Sequence, residues 1–279
     1  MIFMGLGGGG CSIASRFHEM ANDENNGLYL FDVDQKYKLP KVKKMEEAEA
    51  KTPDFNLNLK NEDILFVLCG GGITSGFALR ILEQIKDNHI DIMYIRPDLS
   101  IMNQEEKLRE RVVFNILQEM ARSGLFNQII LVSNEHIANS NEDISLDNYY
   151  DKINETIDYV YGHINYFHSL KPIRSNLTSP AEVCRIVTIG ILDYGSGQEQ
   201  MLFPLENPRE KQILFGLSKE TIKDRKSLQQ VQRHLTEIEK QGIICSHKVL
   251  SLEISDNLVF TITYTNFIQN QLLTNNGEN

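Results

Sequence analysis

Tryptophan is absent from this sequence, cysteine and proline are scarce, with four and seven residues among 279, and no long apolar run occurs. A membrane-spanning helix needs about 20 predominantly apolar residues, so the sequence predicts none. Cys11, Cys69, Cys184 and Cys245 lie far apart, without the short spacings of a zinc site. No signal peptide precedes them, and we expect reduced thiols in a cytoplasmic chain with no metal site built from its own side chains.

Positive charge is also in short supply. The chain has 28 basic and 38 acidic residues, which gives a net charge of -10. A chain of this charge repels nucleic acid unless basic residues are concentrated in one place. The only short basic cluster spans 36–44, and Glu46, Glu47 and Glu49 follow it at once, which indicates a solvated surface segment. The composition therefore argues against a nucleic-acid partner, except one reached through an adaptor.

Segments typical of strands and helices alternate through the first half of the sequence. Apolar runs predict strands at 2–6, 28–33, 64–69, 90–95 and 129–132, and helical periodicity predicts helices at 11–20, 75–86 and 105–122. In the last of these helices, one face carries Leu108, Val112, Ile116 and Met120. The stretch 35–61 is predicted to be mostly loop, with a helix at 42–50. The alternation predicts an α/β fold with a doubly wound, mostly parallel sheet, which binds ligands beyond the carboxyl ends of its strands.

A long helix is predicted to follow, over about 146–170. Its apolar stripe steps by four and three residues and comprises Ile153, Ile157, Val160, Ile164 and Phe167. The remainder predicts a smaller α+β unit, with a strand at 213–217, a helix at 226–241 and a hairpin formed by strands at 249–254 and 258–264. We therefore predict a first domain at 1–144, a central helix at 145–171 and a C-terminal domain at 172–279.

A glycine cluster separates the first predicted strand from the first helix. Its candidate ligand-binding residues are Gly7, Gly8, Gly9, Gly10, Cys11 and Ser12. Glycines let the backbone approach phosphate oxygens, and a helix N-terminus adds free N–H groups and the positive end of the helix dipole. The cluster alone also fits the dinucleotide-binding turn of an NAD-dependent oxidoreductase, with Asp32 or Asp34 as the ribose-binding acid.

A second glycine cluster follows the third predicted strand and distinguishes these interpretations. It comprises Gly70, Gly71, Gly72, Ile73, Thr74, Ser75 and Gly76. A nicotinamide-dependent dehydrogenase has no general need for a second phosphate-binding turn, whereas a nucleoside triphosphate held between two turns does. Backbone N–H groups would bind most of the phosphate, with hydroxyl donors from Thr74 and Ser75. Because no lysine follows either cluster in the Walker pattern, the chain is not a P-loop protein.

Together the two clusters resemble those of the tubulin/FtsZ superfamily. The family's first loop looks like 5–12 here, including a variant with cysteine, and its signature loop reads Gly-Gly-Gly-Thr-Gly-Ser/Thr-Gly. Five positions of the second cluster match that signature in register, while Ile73 and Thr74 depart from it. The resemblance implies a Rossmann-like GTPase domain, a long central helix and a smaller C-terminal domain, with GTP or GDP bound together with Mg²⁺.

The resemblance also implies which residues bind the ribose and the base. Glu105 and Arg109 have the spacing of the family's ribose-binding pair, although the same spacing fits an i,i+4 surface ion pair. The implied base-binding residues are Asn134, Tyr150, Asn154 and Glu155. A carboxylate such as that of Glu155 accepts hydrogen bonds from the two donors that guanine offers and adenine lacks, which favours a guanine nucleotide.

After the central helix, the family carries a loop that enters the nucleotide site of the next subunit in a filament. Here Asn176 is kept, Thr178 replaces the first acidic residue, and Glu182 replaces the last, one position late and one methylene longer. The resemblance implies that Asn176 and Glu182 serve the neighbour's site, with Glu182 orienting the attacking water. A displacement of about 1 Å can cost roughly 10²-fold in rate, so we expect slow hydrolysis.

These observations predict a GTP-binding cytoskeletal filament subunit that associates head to tail. The 35–61 region is shorter than usual in the family and has no clear counterpart of the loop that senses the γ-phosphate; compact relatives occur among phage- and plasmid-encoded tubulins. Two alternatives stay open. One is a non-hydrolysing structural or scaffold protein of the same fold, which the departures at Ile73, Thr74 and Thr178 favour. The other is an NAD-dependent oxidoreductase.

Overall fold

The computed structural model describes residues 1–23, 25–141 and 143–269. Its strands are β1 (Ile2–Leu6), β2 (Gly27–Phe31), β3 (Asp63–Cys69), β4 (His89–Arg96), β5 (Gln128–Ser133), β6 (Arg174–Ser175), β7 (Ile186–Leu192), β8 (Glu199–Met201), β9 (Glu210–Ser218), β10 (Ile244–Leu252) and β11 (Leu258–Thr265). Its α-helices are α1 (Gly7–Ala21), α2 (Met45–Lys51), α3 (Ala78–Gln84), α4 (Gln104–Arg122), α5 (Asn134–Asn139), α6 (Tyr149–Ser169), α7 (Lys219–Lys223) and α8 (Arg225–Glu239). The predicted alternation of strands and helices in the first half is confirmed.

The strands form one continuous sheet. Their order is β2, β1, β3, β4, β5, β7, β11, β9, β10 and β6, and β8 pairs with β7. Strands β1 to β5 are parallel, and β7 continues in the same direction beside β5. Parallel strands covered on both faces read as continuous apolar runs, and residues 64–68 of β3 are all buried. The prediction of a mostly parallel α/β sheet is confirmed.

Helices cover both faces of the sheet. One apolar cluster joins Phe66 of β3 to helices α3 and α4, where Phe114 is buried. A second cluster joins Val67 of β3 to α1 and α6, through Phe17 and Ile157. Because successive side chains of a strand point to opposite faces, neighbouring residues of β3 belong to different clusters. The sheet is therefore doubly wound, as predicted.

The central helix α6 is present and carries the predicted stripe. It has 21 residues, which makes it about 31 Å long. All five stripe residues are buried, with at most 4% of their surface exposed. The helix begins beside the loop that follows β4, where Tyr149 approaches Asp98, and the chain after it reaches the first residue of β9 through Ala181. The helix therefore crosses the sheet from the carboxyl edge of the parallel strands to their amino edge.

The predicted hairpin in the C-terminal part is wrong. Strand β11 lies between β7 and β9, antiparallel to both, and β10 pairs with β9 and β6 instead. Every residue of β11 after Leu258 is buried, as a strand with two partners requires. The connection at 253–257 is fixed to β9 rather than closed into a tight turn, because the Ser218 N–H donates to the side chain of Asn257 at 3.0 Å.

Helix α4 forms where predicted but buries a different face. The exposed side of the expected stripe includes Leu108 and Val112. The buried residues are Glu110, Val113, Phe114, Leu117, Gln118 and Ala121. Two of these buried residues, Glu110 and Gln118, are polar. The apolar stripe in the sequence therefore lies beside the buried face of the helix and not on it.

Several predicted boundaries also change. Helix α1 begins at Gly7 rather than at residue 11, so the glycines are its first turn. The helix predicted at 75–86 is a short 3-10 helix, Ile73–Phe77, followed by α3. In the 35–61 region the helix is α2, three residues later than predicted at its start. Within the described residues, no helix combines the length and the apolar character needed to span a bilayer.

Candidate functional site

The first glycine turn is the N-terminus of α1. Leu6 is the N-cap residue, and no side chain caps the helix. The first N–H groups of such a helix have no partner within it, and they carry the positive end of the helix dipole. Gly8, Gly9 and Ser12 are exposed, and a Cβ on Gly8 would meet nothing within 4 Å. This turn therefore presents unpaired donors to an open space, as an anion site requires.

The thiol of Cys11 is committed to the sheet. Its Sγ donates to the carbonyl oxygens of Gly5 at 3.2 Å and of Phe31 at 3.3 Å. Burial, followed by the negative charges of Asp34 and Asp32, raises the pKa of this thiol to about 12. Cys11 therefore stays protonated and joins α1 to β1 and β2. Asp32 and Asp34 follow the carboxyl end of β2, which is paired with β1 immediately before the first turn.

The second glycine turn is closed by its own serine. Both the N–H and the hydroxyl of Ser75 donate to the carbonyl of Gly72, at 3.1 Å and 2.6 Å. Gly71 has a φ of +81°, which only glycine adopts readily. Its carbonyl accepts a hydrogen bond of 2.9 Å from Arg109 Nε. The Ser75 hydroxyl thus shapes the turn, and Gly72, which is exposed, lies at its open side.

The two turns touch each other. They follow β1 and β3, which are neighbouring parallel strands with Leu6 paired to Leu68. A Cβ on Gly7 would lie 2.8 Å from Thr74 Oγ1, and one on Gly9 would lie 2.6 Å from Cys69 Sγ. Gly7 also has a φ of +70°. The backbone conformation therefore favours glycine at Gly7, and the two turns form one continuous surface at the carboxyl edge of the sheet.

The predicted ribose pair forms an ion pair at the start of α4. Arg109 Nη1 lies 2.7 Å from Glu105 Oε1, and the arginine side chain is only 13% exposed. Since Arg109 also holds the carbonyl of Gly71, the pair ties α4 to the second turn. Both residues line a groove of about 470 Å³ beside that turn, which also includes Lys44, Met45 and Ile116. The contact of Glu105 and Arg109 with a ribose stays a prediction.

Asn134 begins α5 directly after β5 and is 7% exposed. Its Oδ1 is buried and has no hydrogen-bond partner within the described residues. An unpaired buried polar atom costs about 1–3 kcal/mol, so such atoms usually await a water or a ligand. Among the predicted base-binding residues, Asn134 is therefore the one with a buried acceptor that a ligand could satisfy.

The other predicted base-binding residues lie on the first two turns of α6. Tyr150 is 62% exposed, Asn154 is half-buried, and Glu155 is exposed. The ammonium group of Lys152, 2.8 Å from Glu155 Oε2, lowers the pKa of that carboxyl. Of these side chains, those of Tyr150 and Glu155 are exposed at the carboxyl edge of the sheet.

The sequence interpretation missed Tyr149. Its hydroxyl lies 3.4 Å from Asp98 Oδ2 in the loop after β4, and its ring packs against that of Tyr150 with 5.1 Å between centroids. Burial, with a smaller effect of Asp98, raises the pKa of Tyr149 to about 12. Two adjacent tyrosines were visible in the sequence, but only the structure shows which one packs inward.

No protein-family model and no curated protein sequence matches the chain. Solved structures do match. CetZ2 from Haloferax volcanii, as a GTPγS-bound protofilament, gives a TM-score of 0.67 at 15% identity, over 94% of this chain and 92% of its own. The GTPγS-form protofilament of TubZ from Bacillus thuringiensis serovar israelensis gives 0.65 at 11%, over 94% and 86%. An empty FtsZ dimer from M. jannaschii gives 0.62 at 11%, over 95% and 87%.

The chain has the tubulin/FtsZ fold. The resemblance inferred from the two glycine clusters is thus confirmed for the fold. At identities of 11–15% the shared feature is the path of the backbone, and the roles of individual side chains must be argued from this chain alone.

Within this tubulin/FtsZ fold the two predicted catalytic residues lie at the edge opposite the glycine turns, because they follow the end of α6. Asn176 is held against β10: its N–H donates to His247 O at 3.0 Å, and its Oδ1 accepts from the His247 N–H at 2.7 Å. Glu182 is exposed. With α6 about 31 Å long, neither residue can reach the glycine turns of its own chain.

Within the described residues of this tubulin/FtsZ fold, no cluster of three or more histidine, cysteine, aspartate or glutamate side chains could hold a metal ion. The four cysteines are free. Asp32, at the end of β2, is half-buried and forms an ion pair of 3.1 Å with Lys38. A metal bound at this edge would therefore depend on a ligand for most of its coordination.

Proposed function

We propose that this chain binds GTP or GDP between its two glycine turns and associates head to tail into filaments. The contact between the turns carries the proposal. Uncapped N–H groups at the start of α1 and the open side of the second turn at Gly72 converge on one surface. Two such turns in contact suit a chain of two or three phosphates better than a single phosphate group.

The nucleoside would extend from the phosphates toward α5 and α6. Asn134 supplies a buried amide whose oxygen has no partner in the described structure. Tyr150 offers an exposed ring for the base, and Asn154 and Glu155 follow one turn later on α6. Glu105, whose side chain is 72% exposed, is the more exposed member of the ribose pair. A carboxylate among these groups supports guanine, since guanine presents two adjacent donors.

The residues present also fit a Mg²⁺ ion that arrives with the nucleotide. This ion usually takes one or two carboxylates, phosphate oxygens and several waters. Asp34 and Asp32 are the carboxylates whose charge acts on Cys11 beside the first turn, and they would supply the protein's ligands. When bound, the ion would offset charge between phosphate groups.

Hydrolysis would need two subunits. Glu182 is exposed at the amino edge of the sheet, while the glycine turns lie at the carboxyl edge. Head-to-tail stacking would bring Glu182 of one subunit to the nucleotide of the next, where its carboxylate would orient water. Turnover per subunit should therefore rise with protein concentration.

A second candidate is a filament subunit of the same fold that binds nucleotide without hydrolysing it. One observation favours it. The backbone N–H and the side-chain Oδ1 of Asn176 both bond to His247, and these bonds continue the pairing of β6 with β10. The residue would then be a structural element of the edge, and only Glu182 would be left for catalysis.

The test is to purify the chain, identify any nucleotide released on denaturation, and image the protein by electron microscopy with GTP, with GDP and without nucleotide. A bound guanine nucleotide and GTP-dependent filaments are expected. Turnover is then measured over a hundredfold range of protein concentration. A constant turnover per subunit would defeat the shared site, and no turnover with intact filaments would favour the second candidate. A chain that binds neither nucleotide would refute the proposal.

A further inference from the structure

A buried charged pair lies beneath the second glycine turn. Glu110 of α4 has none of its side chain exposed, and its Oε1 lies 3.2 Å from Nε of Arg96, the last residue of β4. The hydroxyl of Tyr94 lies 3.4 Å from both the carbonyl oxygen and Oε1 of Glu110. The Arg96 side chain is 16% exposed, and its Nε has no hydrogen-bond partner of regular geometry within the described residues, so its contact with Glu110 is an ion pair rather than a hydrogen bond.

The second turn rests directly on this pair. A Cβ on Gly70 would lie 2.1 Å from Tyr94 Oη and 3.0 Å from Glu110 Cγ, so the backbone is in contact with both side chains. The Gly70 N–H donates to the carbonyl of Ile95 at 3.0 Å, and Ile95 follows Tyr94 in β4. A change in the position of Tyr94 or Glu110 would therefore move the turn.

Arg96 connects the pair to the C-terminal half of the sheet. Its guanidinium lies over the ring of Phe114, 5.1 Å from the centroid, and over the ring of Phe203, 6.0 Å from the centroid. Phe203 follows β8 and is buried. A planar guanidinium packed on two rings has little freedom, so the positions of Phe203 and Glu110 depend on each other.

The segment that carries Phe203 also contacts the base side of the site. The carbonyl of Leu202 accepts from the Ser133 N–H at 2.8 Å, one residue before Asn134. The Leu202 N–H donates to Ile189 of β7 at 2.8 Å. The 202–205 segment is therefore fixed to β7, contacts Ser133 beside Asn134 through Leu202, and contacts Arg96 of the charged pair through Phe203.

We propose that Tyr94, Glu110, Arg96 and Phe203 are positioning residues that couple the second glycine turn to the 202–205 segment, so that phosphate binding and the position of that segment influence each other. The ligand part of this inference rests on the proposed function. The mechanical link between the turn and the segment stands on the contacts alone.

The experiment compares Phe203→Leu with Phe215→Leu. Both substitutions remove the same ring from a buried site, but Phe215 belongs to the separate cluster beneath α8. Affinity for a fluorescent GDP analogue is measured, together with hydrogen exchange at 70–76 and 202–205, with and without GDP. We expect Phe203→Leu to weaken binding about tenfold, within the usual range of coupling between sites, and Phe215→Leu to change it less than about twofold.

Exchange distinguishes coupling from general destabilisation. Without nucleotide, Phe203→Leu should speed exchange at 70–76, and Phe215→Leu should not. In the wild-type protein, saturating GDP should slow exchange at both segments, whereas in Phe203→Leu it should slow exchange at 70–76 alone. Arg96→Lys keeps the charge but loses the planar contact with the rings, and it should behave like Phe203→Leu.

The outcomes separate this inference from the proposed function. If the wild-type protein binds no guanine nucleotide, the proposed function fails, and exchange of the nucleotide-free variants still tests the link between the turn and the segment. If nucleotide binds and Phe203→Leu matches the wild-type protein in affinity and in exchange at 70–76, the coupling is refuted while the proposed function stands.

Discussion

At the scale of single residues, Gly8 offers the sharpest probe of the anion site. Its backbone has no positive φ, and a Cβ there would meet no atom within 4 Å. Gly8→Ala should therefore fold and bind nucleotide within a few-fold of the wild-type protein. Gly8→Asp should also fold, since acidic residues suit the first turn of a helix, but its carboxylate would repel phosphate and weaken GDP binding about 100-fold. Titration with a fluorescent nucleotide measures both.

The Gly8→Ala variant is the control for added volume. Equal losses in both variants would mean that the open space at Gly8 is needed for another reason than charge. Unchanged binding in Gly8→Asp would place the phosphate away from the first turn.

Protonated thiols are a second residue-scale feature. Burial raises the pKa of Cys11 and Cys69 to about 12 and that of Cys245 to about 11, from an ordinary value of 9.0. At pH 8 a shift of this size lowers the thiolate fraction by about a hundred- to thousandfold. We expect thiol reagents to label the native protein slowly and the urea-unfolded protein fast. Rapid native labelling of Cys11 would contradict its buried geometry beside the first turn.

The same shifts set a direction for stability at alkaline pH. Folded thiols keep their protons up to pH 11–12, while unfolded thiols lose them near 9. The folded state therefore binds more protons in that interval, and the free energy of unfolding should fall as pH rises from 9 toward 12. Urea midpoints at pH 8 and pH 10 provide the comparison, with the lower midpoint expected at pH 10.

At the scale of elements, β6 shows how a predicted catalytic residue can serve the sheet. Asn176 continues the pairing of β6 with β10 by accepting from the His247 N–H at 2.7 Å. Asn176→Ala would leave that N–H of a buried residue unpaired, which should cost about 1–3 kcal/mol in urea unfolding. Asn176→Asp keeps an acceptor oxygen and should lose less.

Turnover of the same variants separates structure from catalysis. If Asn176 acts only in the sheet, GTP turnover should follow the loss of stability, and the aspartate variant should be close to wild type. A large loss of turnover in Asn176→Ala without any loss of stability would instead support the predicted role in the neighbour's site.

Local patterns predicted elements well where one physical cause dominated. The buried strands β1, β3, β4 and β5 and the stripe of α6 were found from apolar spacing alone. The hairpin failed because strand pairing across β9 depends on contacts distant in the sequence, which periodicity does not encode. The buried face of α4 was misplaced because Glu110 and Gln118 face the core. Strands β6 and β8, of two and three residues, are too short for a periodic pattern, and β7 was missed although its sequence is apolar and buried.

The candidate site, too, was predictable from the sequence only in part. Glycine clusters after two strands predicted two turns at the same edge, because parallel strands end together. The sequence could not show that Thr74 and Cys69 fill the space beside Gly7 and Gly9, nor that the hydroxyl of Ser75 is used within its own turn. It also gave no sign of the pair formed by Arg96 and Glu110, since their partners come from three separate elements.

At the scale of the whole molecule, exposed apolar side chains are present at both ends of the parallel strands. Val33, Ile101, Leu146 and Tyr150 lie at the carboxyl end, and Leu125, Val183 and Ile244 lie at the amino end. Leu146 is 96% exposed. Such side chains at opposite ends favour a contact between unlike surfaces of two copies, which repeats without closing.

This arrangement predicts the behaviour of two single variants. Leu146→Glu should block the carboxyl end, and Ile244→Glu should block the amino end, because each places a charge in an apolar contact. Neither residue lies in the sheet core, so both proteins should fold and bind nucleotide. Each alone should fail to form filaments by electron microscopy and sediment as a monomer.

Mixing the two variants tests the direction of assembly. In a head-to-tail contact, the intact amino end of Leu146→Glu still fits the intact carboxyl end of Ile244→Glu, and the resulting pair has blocked ends on both sides. An equimolar mixture should therefore form dimers in analytical ultracentrifugation and no filaments. If subunits met through like surfaces instead, two copies of Leu146→Glu could still pair through their intact amino ends, and two copies of Ile244→Glu through their intact carboxyl ends, so dimers would already form in each variant alone. Dimers in the mixture, absent from either variant alone, thus require a polar contact between unlike ends.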